Sequence, residues 1–267
     1  MPDPTPSSPP VPSDPSVPSD PSAPPAVLVI QHDVDDNLGE LAPPLAEAGI
    51  RIVMWDAGRV PDGAPASLDA LSGVVSLGAY AGVRDEATTP WMPVEKALLQ
   101  QALTRRMPVL GLCFGAQLLA AAAGAAFRPS PVPELGWTRV TPTPEAALDP
   151  VVAPLAAESD ADGALDVFHY HFDSFELPEG ATLLGETDGI IEAFRVGECA
   201  WGLQFHLEVG LATQLAWIAG DRPGFERVGA DPARQEELSH DKWLAYRDRA
   251  HAVGAAFARQ VHRFAEA

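Results

Sequence analysis

The run Pro108-Val109-Leu110-Gly111-Leu112-Cys113-Phe114-Gly115-Ala116-Gln117-Leu118-Leu119-Ala120-Ala121 constrains this chain more than any other segment. Val109 and Leu110 continue a short apolar stretch suited to a strand buried on both faces, whereas the alanines and leucines after Gly115 are strong helix formers. The change from strand to helix takes only a few residues, and so tight a corner leaves little room for side chains. Glycines at 111 and 115 meet that requirement. A strand that runs straight into a helix is the building unit of parallel α/β sheets.

The residue between these glycines is a cysteine. G-x-C-x-G puts sulfur where the G-x-S-x-G elbow of hydrolases puts oxygen. A thiol at the first turn of a helix faces unpaired backbone N–H groups and the positive end of the helix dipole, which favour the thiolate. An isolated cysteine in an apolar run is ordinarily core filling. The glycine bracket and a second segment, Trp201-Gly202-Leu203-Gln204-Phe205-His206-Leu207-Glu208, favour a nucleophile instead. Such a cysteine needs a base, and the base needs a group that holds its tautomer. Residues i and i+2 of an extended strand share a face, so Glu208 can reach the far nitrogen of His206.

These two segments carry a resemblance to the class I glutamine amidotransferases, and most closely to stand-alone members similar to the amidotransferase domain of GMP synthase. The family's G-x-C-x-G-x-Q is matched by Gly111, Cys113, Gly115 and Gln117, and its G-x-Q-F-H-P-E by Gly202, Gln204, Phe205, His206 and Glu208, with Leu207 in place of proline. Glu134-Leu135-Gly136-Trp137 and the segment from Phe168 through His169, Tyr170, His171, Phe172 and Asp173 look like the subgroup's E-x-G-W and H-x-D stretches, with Phe172 where glycine is common. The resemblance extends over residues 26–217. It implies that Cys113 attacks the side-chain amide of L-glutamine, that His206 passes the proton to the departing ammonia, and that Glu208 orients His206. It also implies that Gln117, His171, Phe172 and Asp173 bind substrate. Hydrolysis of a γ-glutamyl amide bearing a larger amine uses the same machinery, and a non-catalytic regulatory subunit of the same fold is a third reading. The ammonia released by the first reading calls for an ammonia-accepting synthetase partner.

Acyl transfer further requires donors aimed at the developing oxyanion. Phe114 N–H, next to the nucleophile, is one candidate, and the loop Gly78-Ala79-Tyr80 after the apolar run 73–77 supplies another. The family has G-G-P there. If the second position needs a positive φ, Ala79 adopts it at a cost of about 1 kcal/mol. His169, His171 and Asp173 alternate along an extended segment and invite a metal reading. That reading leaves Cys113 without a purpose, so neither metal nor cofactor is expected.

The remaining pattern predicts a doubly wound, mostly parallel α/β sheet: strands at 26–31, 51–55, 73–77 and 108–112 alternate with helices at 37–48 and 91–106, with Glu95 and Lys96 on the exposed side of the second helix. The site then lies at the carboxyl ends of the strands. Short strands across 136–205 suggest an antiparallel addition. A helix at 211–219 and a helical tail at 231–267 follow, with Trp243, Tyr246, Ala250, Val253, Phe257, Val261 and Phe264 forming an apolar stripe. Residues 1–25 are almost wholly Pro, Ser, Asp, Val and Ala and are expected to stay disordered, leaving an amidotransferase-like domain at 26–220 and a helical extension at 221–267 packed on it. The first residues lack a basic start and an apolar core, so no signal peptide is expected and the protein is placed in the cytoplasm. Two cysteines are too few for a disulfide framework. A formal charge of -20 argues against nucleic acid and anionic membranes as partners.

Overall fold

A computed structural model describes residues 24–267. The stretch 1–23, most of the segment expected to be disordered, lies outside the described residues. Strand β1 (Ala26–Gln31) leads through a 3-10 turn into a short helix α1 (Ala42–Glu47), and β2 (Arg51–Asp56), β3 (Gly73–Ser76), α2 (Met92–Thr104), β4 (Val109–Leu112) and α3 (Phe114–Ala122) follow. The helix expected over 37–48 is shortened at its start. Pro43 and Pro44 have no N–H to give and fit only in a first turn, so the α-helix begins at Ala42.

The chain then enters β5 (Phe127–Pro142), α4 (Ala153–Ala156), β6 (Leu165–Phe175), β7 (Thr182–Thr187), β8 (Ile190–Val196) and β9 (Ala200–Leu203), and ends in α5 (Leu211–Gly220), α6 (Arg222–Arg227) and α7 (Pro232–Ala265). The nine strands of the described residues form one sheet in the order β2-β1-β3-β4-β9-β8-β7-β5-β6. Strands β2, β1, β3, β4 and β9 run parallel, and β8, β7, β5 and β6 continue the sheet antiparallel. The antiparallel part is built around two long strands rather than the short ones expected: β5 spans 16 residues and β6 spans 11, with a register shift between Pro129 and Glu134.

Burial on both faces follows from the pleat. Val27 and Val29 of β1 enter one apolar layer, while Ala26, Leu28 and Ile30 enter the other. Helix α7 packs on α1 and α5, with Tyr246, Ala250, Val253, Phe257 and Val261 fully buried and Trp243 and Phe264 at the margin of the stripe. Asp231 caps its start by accepting from Ala233 N–H at 3.1 Å. Among the described residues, no helix is long and apolar enough to cross a membrane.

Glu95 departs from expectation. It faces inward from α2 and is fully buried, because its two carboxylate oxygens are taken by His32 Nε2 at 2.7 Å and Ser76 Oγ at 2.6 Å.

Candidate active site

Cys113 stands between β4 and α3 with φ 49° and ψ -106°, one of three non-glycine residues with positive φ among those described. For a residue with a Cβ this is strained backbone. The fold holds it there from both sides. Cys113 N–H donates to Leu203 O of β9 at 2.8 Å, and Gly115 N–H donates to Leu77 O beyond β3 at 3.1 Å. The flanking glycines are required by contact: a Cβ on Gly115 would lie 2.2 Å from Ser76 O, and one on Gly111 would lie 2.5 Å from Gly115 O. Phe114 opens α3, where a backbone N–H has no acceptor within the helix.

His206 lies just past β9, which ends at Leu203 rather than continuing to 205 as expected. The i, i+2 pairing survives in the irregular chain, because His206 Nδ1 meets Glu208 Oε1 at 2.6 Å and both residues are buried. The backbone of His206 is pinned as well. Its N–H donates to Phe168 O at 2.9 Å, and its carbonyl accepts from the Tyr246 hydroxyl of α7. The Trp217 ring stands edge-on to the imidazole at 4.9 Å. Burial opposes the imidazolium, yet the Cys113 sulfur and the Glu208 carboxylate outweigh it and hold the His206 pKa well above its ordinary value.

The thiol opens on a tight cavity of about 30 Å³ lined by Asp33, Asp36, Ala79, Tyr80, Tyr170, His206 and Trp217. Tyr80, Tyr170 and Trp217 also border an outer groove of about 550 Å³ that reaches Asp35 and Asp221. Cys113, His206 and Ala79 therefore share one cavity, with Glu208 on the Nδ1 side of His206. Ala79 is not among the described non-glycine residues with positive φ, so the strain anticipated there does not arise. Gly78 is instead needed for space, since a Cβ would meet Asp36 Oδ2 at 2.1 Å and His206 Cε1 at 3.0 Å.

Gln117, His171, Phe172 and Asp173 do not line this cavity. Gln117 Nε2 lies 3.2 Å from both Asp173 O and Gln204 Oε1, and so ties β6 to the end of β9. The Asp173 carboxylate pairs with Arg84, and Phe172 is an exposed side chain beside Tyr170. His171 turns to the other side of β6, toward Glu134, His169 and Glu192. The i, i+2 alternation of a strand puts His169 and His171 on one face, whereas the Asp173 carboxylate is taken up by Arg84.

Several residues at the site gave no motif signal. Asp36 is buried with Oδ2 4.0 Å from His206 Nδ1. Burial and the neighbouring Glu208 charge push its pKa well above the usual carboxylate range. His32 Nδ1 faces the Gly78 carbonyl at 2.9 Å and its Nε2 faces Glu95. A carbonyl and a carboxylate both accept, so the ring donates from both nitrogens as an imidazolium. Burial works against this charge, and Glu95 overcomes it to raise the His32 pKa. Trp91 stacks on the same ring at 4.3 Å. The loop at Gly78 is thereby clamped from beneath.

The chain is similar to known proteins in sequence and in fold. The sequence model described as glutamine amidotransferase class-I matches residues 81–219, more than half of the chain and inclusive of Cys113, His206 and Glu208. The glutamine amidotransferase-like protein YfeJ of Salmonella typhimurium is 35% identical over 115 residues, covering 43% of this chain and 46% of that protein. The glutamine-hydrolysing GMP synthase of Porphyromonas gingivalis is 35% identical over 111 residues, covering 40% of this chain and 20% of that enzyme. The match thus spans less than half the length of these curated relatives. Solved structures align more fully: a glutamine amidotransferase from Thermotoga maritima superposes with TM-score 0.72 at 28% identity, covering 91% of this chain and 99% of its own. Another from Methylobacillus flagellatus gives 0.76 at 26%, covering 89% and 95%. With more than half its length under the family's sequence model and nearly all of it superposing on these structures, the chain belongs to the class-I glutamine amidotransferase family.

Proposed function

We propose that this chain hydrolyses the side-chain amide of L-glutamine through a glutamyl thioester on Cys113. The observation that carries the reading is the strained Cys113 elbow opening on the same buried cavity as His206, whose far nitrogen is held by Glu208 at 2.6 Å. The Cys113 sulfur attacks the amide carbon, and the resulting oxyanion is met by Phe114 N–H and the backbone at Gly78 and Ala79. His206 gives its proton to the leaving nitrogen, ammonia departs, and the thioester remains. His206 then takes a proton from water, which attacks the thioester, frees glutamate and restores the thiol. The liberated ammonia goes to a synthetase partner. A thiol nucleophile of this kind suits a reducing compartment such as the cytoplasm.

A second reading, hydrolysis of a γ-glutamyl amine, is favoured by one feature. The outer groove of about 550 Å³ begins where the inner cavity ends and has room for a larger leaving amine. Incubation with L-glutamine and with γ-glutamyl amines, using Cys113→Ala as control, separates the readings. Cys113-dependent glutamate release from glutamine is the expected result. Release from γ-glutamyl amines alone supports the second reading. Release from neither, with or without a synthetase, overturns both and leaves a non-catalytic subunit.

A further inference from the structure

We propose that Glu134, His169, His171 and Glu192 bind a first-row divalent metal ion, of which zinc is the representative probe, in a closed structural site behind the nucleophile. The four side chains come from β5, β6 and β8, are all buried, and offer one ligand atom each within 4.8 Å of one another.

The unclaimed polar atoms of these four side chains point to a cation at their centre. His171 Nδ1 lies 3.1 Å from the Asp173 carbonyl, which can only accept, so this nitrogen carries the hydrogen. Its other nitrogen, Nε2, turns toward His169 Nδ1 at 3.1 Å and toward Glu134 Oε2 at 3.3 Å. Glu192 Oε2 stands 3.7 Å from His169 Nδ1. Glu134 Oε2, both oxygens of Glu192 and Nε2 of His169 have no hydrogen-bond partner. Among the described residues, no lysine or arginine pairs with either carboxylate, which leaves two buried acids facing two imidazoles without a compensating fixed charge.

The spacing of the cluster suits a bound metal ion. Of the other buried histidine–carboxylate pairs among the described residues, His206–Glu208 closes to 2.6 Å and His32–Glu95 to 2.7 Å, while His206–Asp36 stands at 4.0 Å. This cluster stands open at 3.1, 3.3 and 3.7 Å. Four ligands held at zinc–nitrogen and zinc–oxygen distances in a tetrahedron stand about 3.3 Å from each other. Two imidazoles and two carboxylates also neutralise a dication and form a donor set that suits zinc and its first-row neighbours.

The site would act on the reaction by position alone. Tyr170, between the two histidine ligands, lines the catalytic cavity, and its carbonyl accepts from the Cys113 thiol at 3.8 Å. Glu192 O accepts from Gln204 N–H at 2.8 Å, just before His206. A metal joining β5, β6 and β8 would therefore fix the wall against which the thiol rests.

The test is metal content and affinity in the full chain. Protein from zinc-supplemented culture is assayed for bound metal, then stripped with chelator and titrated with Zn²⁺, with Cys113→Ala run in parallel so that the catalytic thiol cannot act as ligand. About one equivalent per chain in both proteins is expected, with affinity lowered at least about a hundredfold in Glu192→Gln and in Glu134→Gln, beyond the range seen when only an outer partner of a ligand is lost. Should either variant fail to fold, the Co²⁺ derivative of the wild-type chain decides. Visible d–d bands without a thiolate charge-transfer band place the ion on nitrogen and oxygen ligands. Failure of the stripped chain to bind, loss of binding in Cys113→Ala, unchanged affinity in the glutamate variants, or a thiolate band would each overturn the proposal.

Discussion

Tyr246 of the C-terminal helix donates its hydroxyl hydrogen to the main-chain carbonyl of His206, while the same oxygen accepts from Phe168 N–H at 3.4 Å. The helix farthest along the chain thus holds the peptide that carries the base. Trp137 of β5 reinforces the docking: its N–H donates to Gln235 Oε1 at 2.7 Å, its indole donates to Ser239 Oγ at 3.0 Å, and its ring packs edge-on against Tyr246 at 4.9 Å.

Tyr246→Phe keeps the buried ring and removes only the bridge. The His206 carbonyl and the Phe168 N–H then compete for no common partner, and an unpaired buried polar group costs about 1–3 kcal/mol. Denaturant unfolding is expected to show a loss in that range, and glutamine turnover to show a lower kcat with KM little changed. An unaltered kcat would mean that His206 is held well enough by its N–H bond to Phe168 and its contact with Glu208.

Glu208 raises the His206 pKa, although burial is the larger and opposing influence. Removing the carboxylate charge therefore lowers it. For a thiolate–imidazolium pair the alkaline limb of kcat/KM reports loss of the imidazolium proton, and the value belongs to the pair rather than to one group. Glu208→Gln is expected to move that limb to lower pH and to retain more activity than Cys113→Ala, since it orients the base and does not form the thioester. A pH–rate profile checks both points, and a limb that stays in place would remove Glu208 from the role.

The elbow was legible in sequence because its demands are local. A cysteine at positive φ with close backbone contacts on either side admits only glycine at 111 and 115, and that leaves a written trace. The His206–Glu208 pair was legible for the same reason, two residues apart with one geometry to satisfy. Asp36, Tyr80, Tyr170 and Trp217 were not, because they come from four separate segments and meet only through the order of strands in the sheet. Glu95 was misread as exposed because a carboxylate beside Lys96 on a helix is ordinarily solvated. Its burial depends on His32 and Ser76, 63 and 19 residues away. That His171 and Asp173 lie outside the lining of the inner cavity was not legible either, since strand alternation fixes which face a side chain takes but not what the next strand brings to meet it.

Asp36→Asn tests a buried acid beside the triad. Its pKa in the folded chain is raised, first by burial and then by Glu208, so the native state binds a proton that the unfolded chain has released. Stability from this group is present below the ordinary carboxylate pKa of about 3.9 and is lost as pH rises toward the raised value. The asparagine variant lacks that loss. It is expected to gain stability over the wild type as pH climbs from about 4 to neutrality, and urea titrations at several pH values measure the difference.

Glu95→Gln tests the clamp under the oxyanion loop. Glu95 overcomes the effect of burial and raises the His32 pKa, so the folded chain holds a proton above the pH at which the unfolded chain gives it up. The stabilisation is complete below about pH 6.5 and is lost as pH rises through the raised value. Glutamine keeps a hydrogen bond to Ser76 but supplies no charge to the imidazolium, and the variant is expected to be about 1–3 kcal/mol less stable at acidic pH. The gap should narrow as the wild type loses its own pair at higher pH. Because His32 also holds the Gly78 carbonyl at 2.9 Å, kcat is expected to fall with stability, most at the pH where the clamp is charged in the wild type. A stability difference independent of pH would mean that the pair holds no extra proton in the fold and would remove the charged clamp.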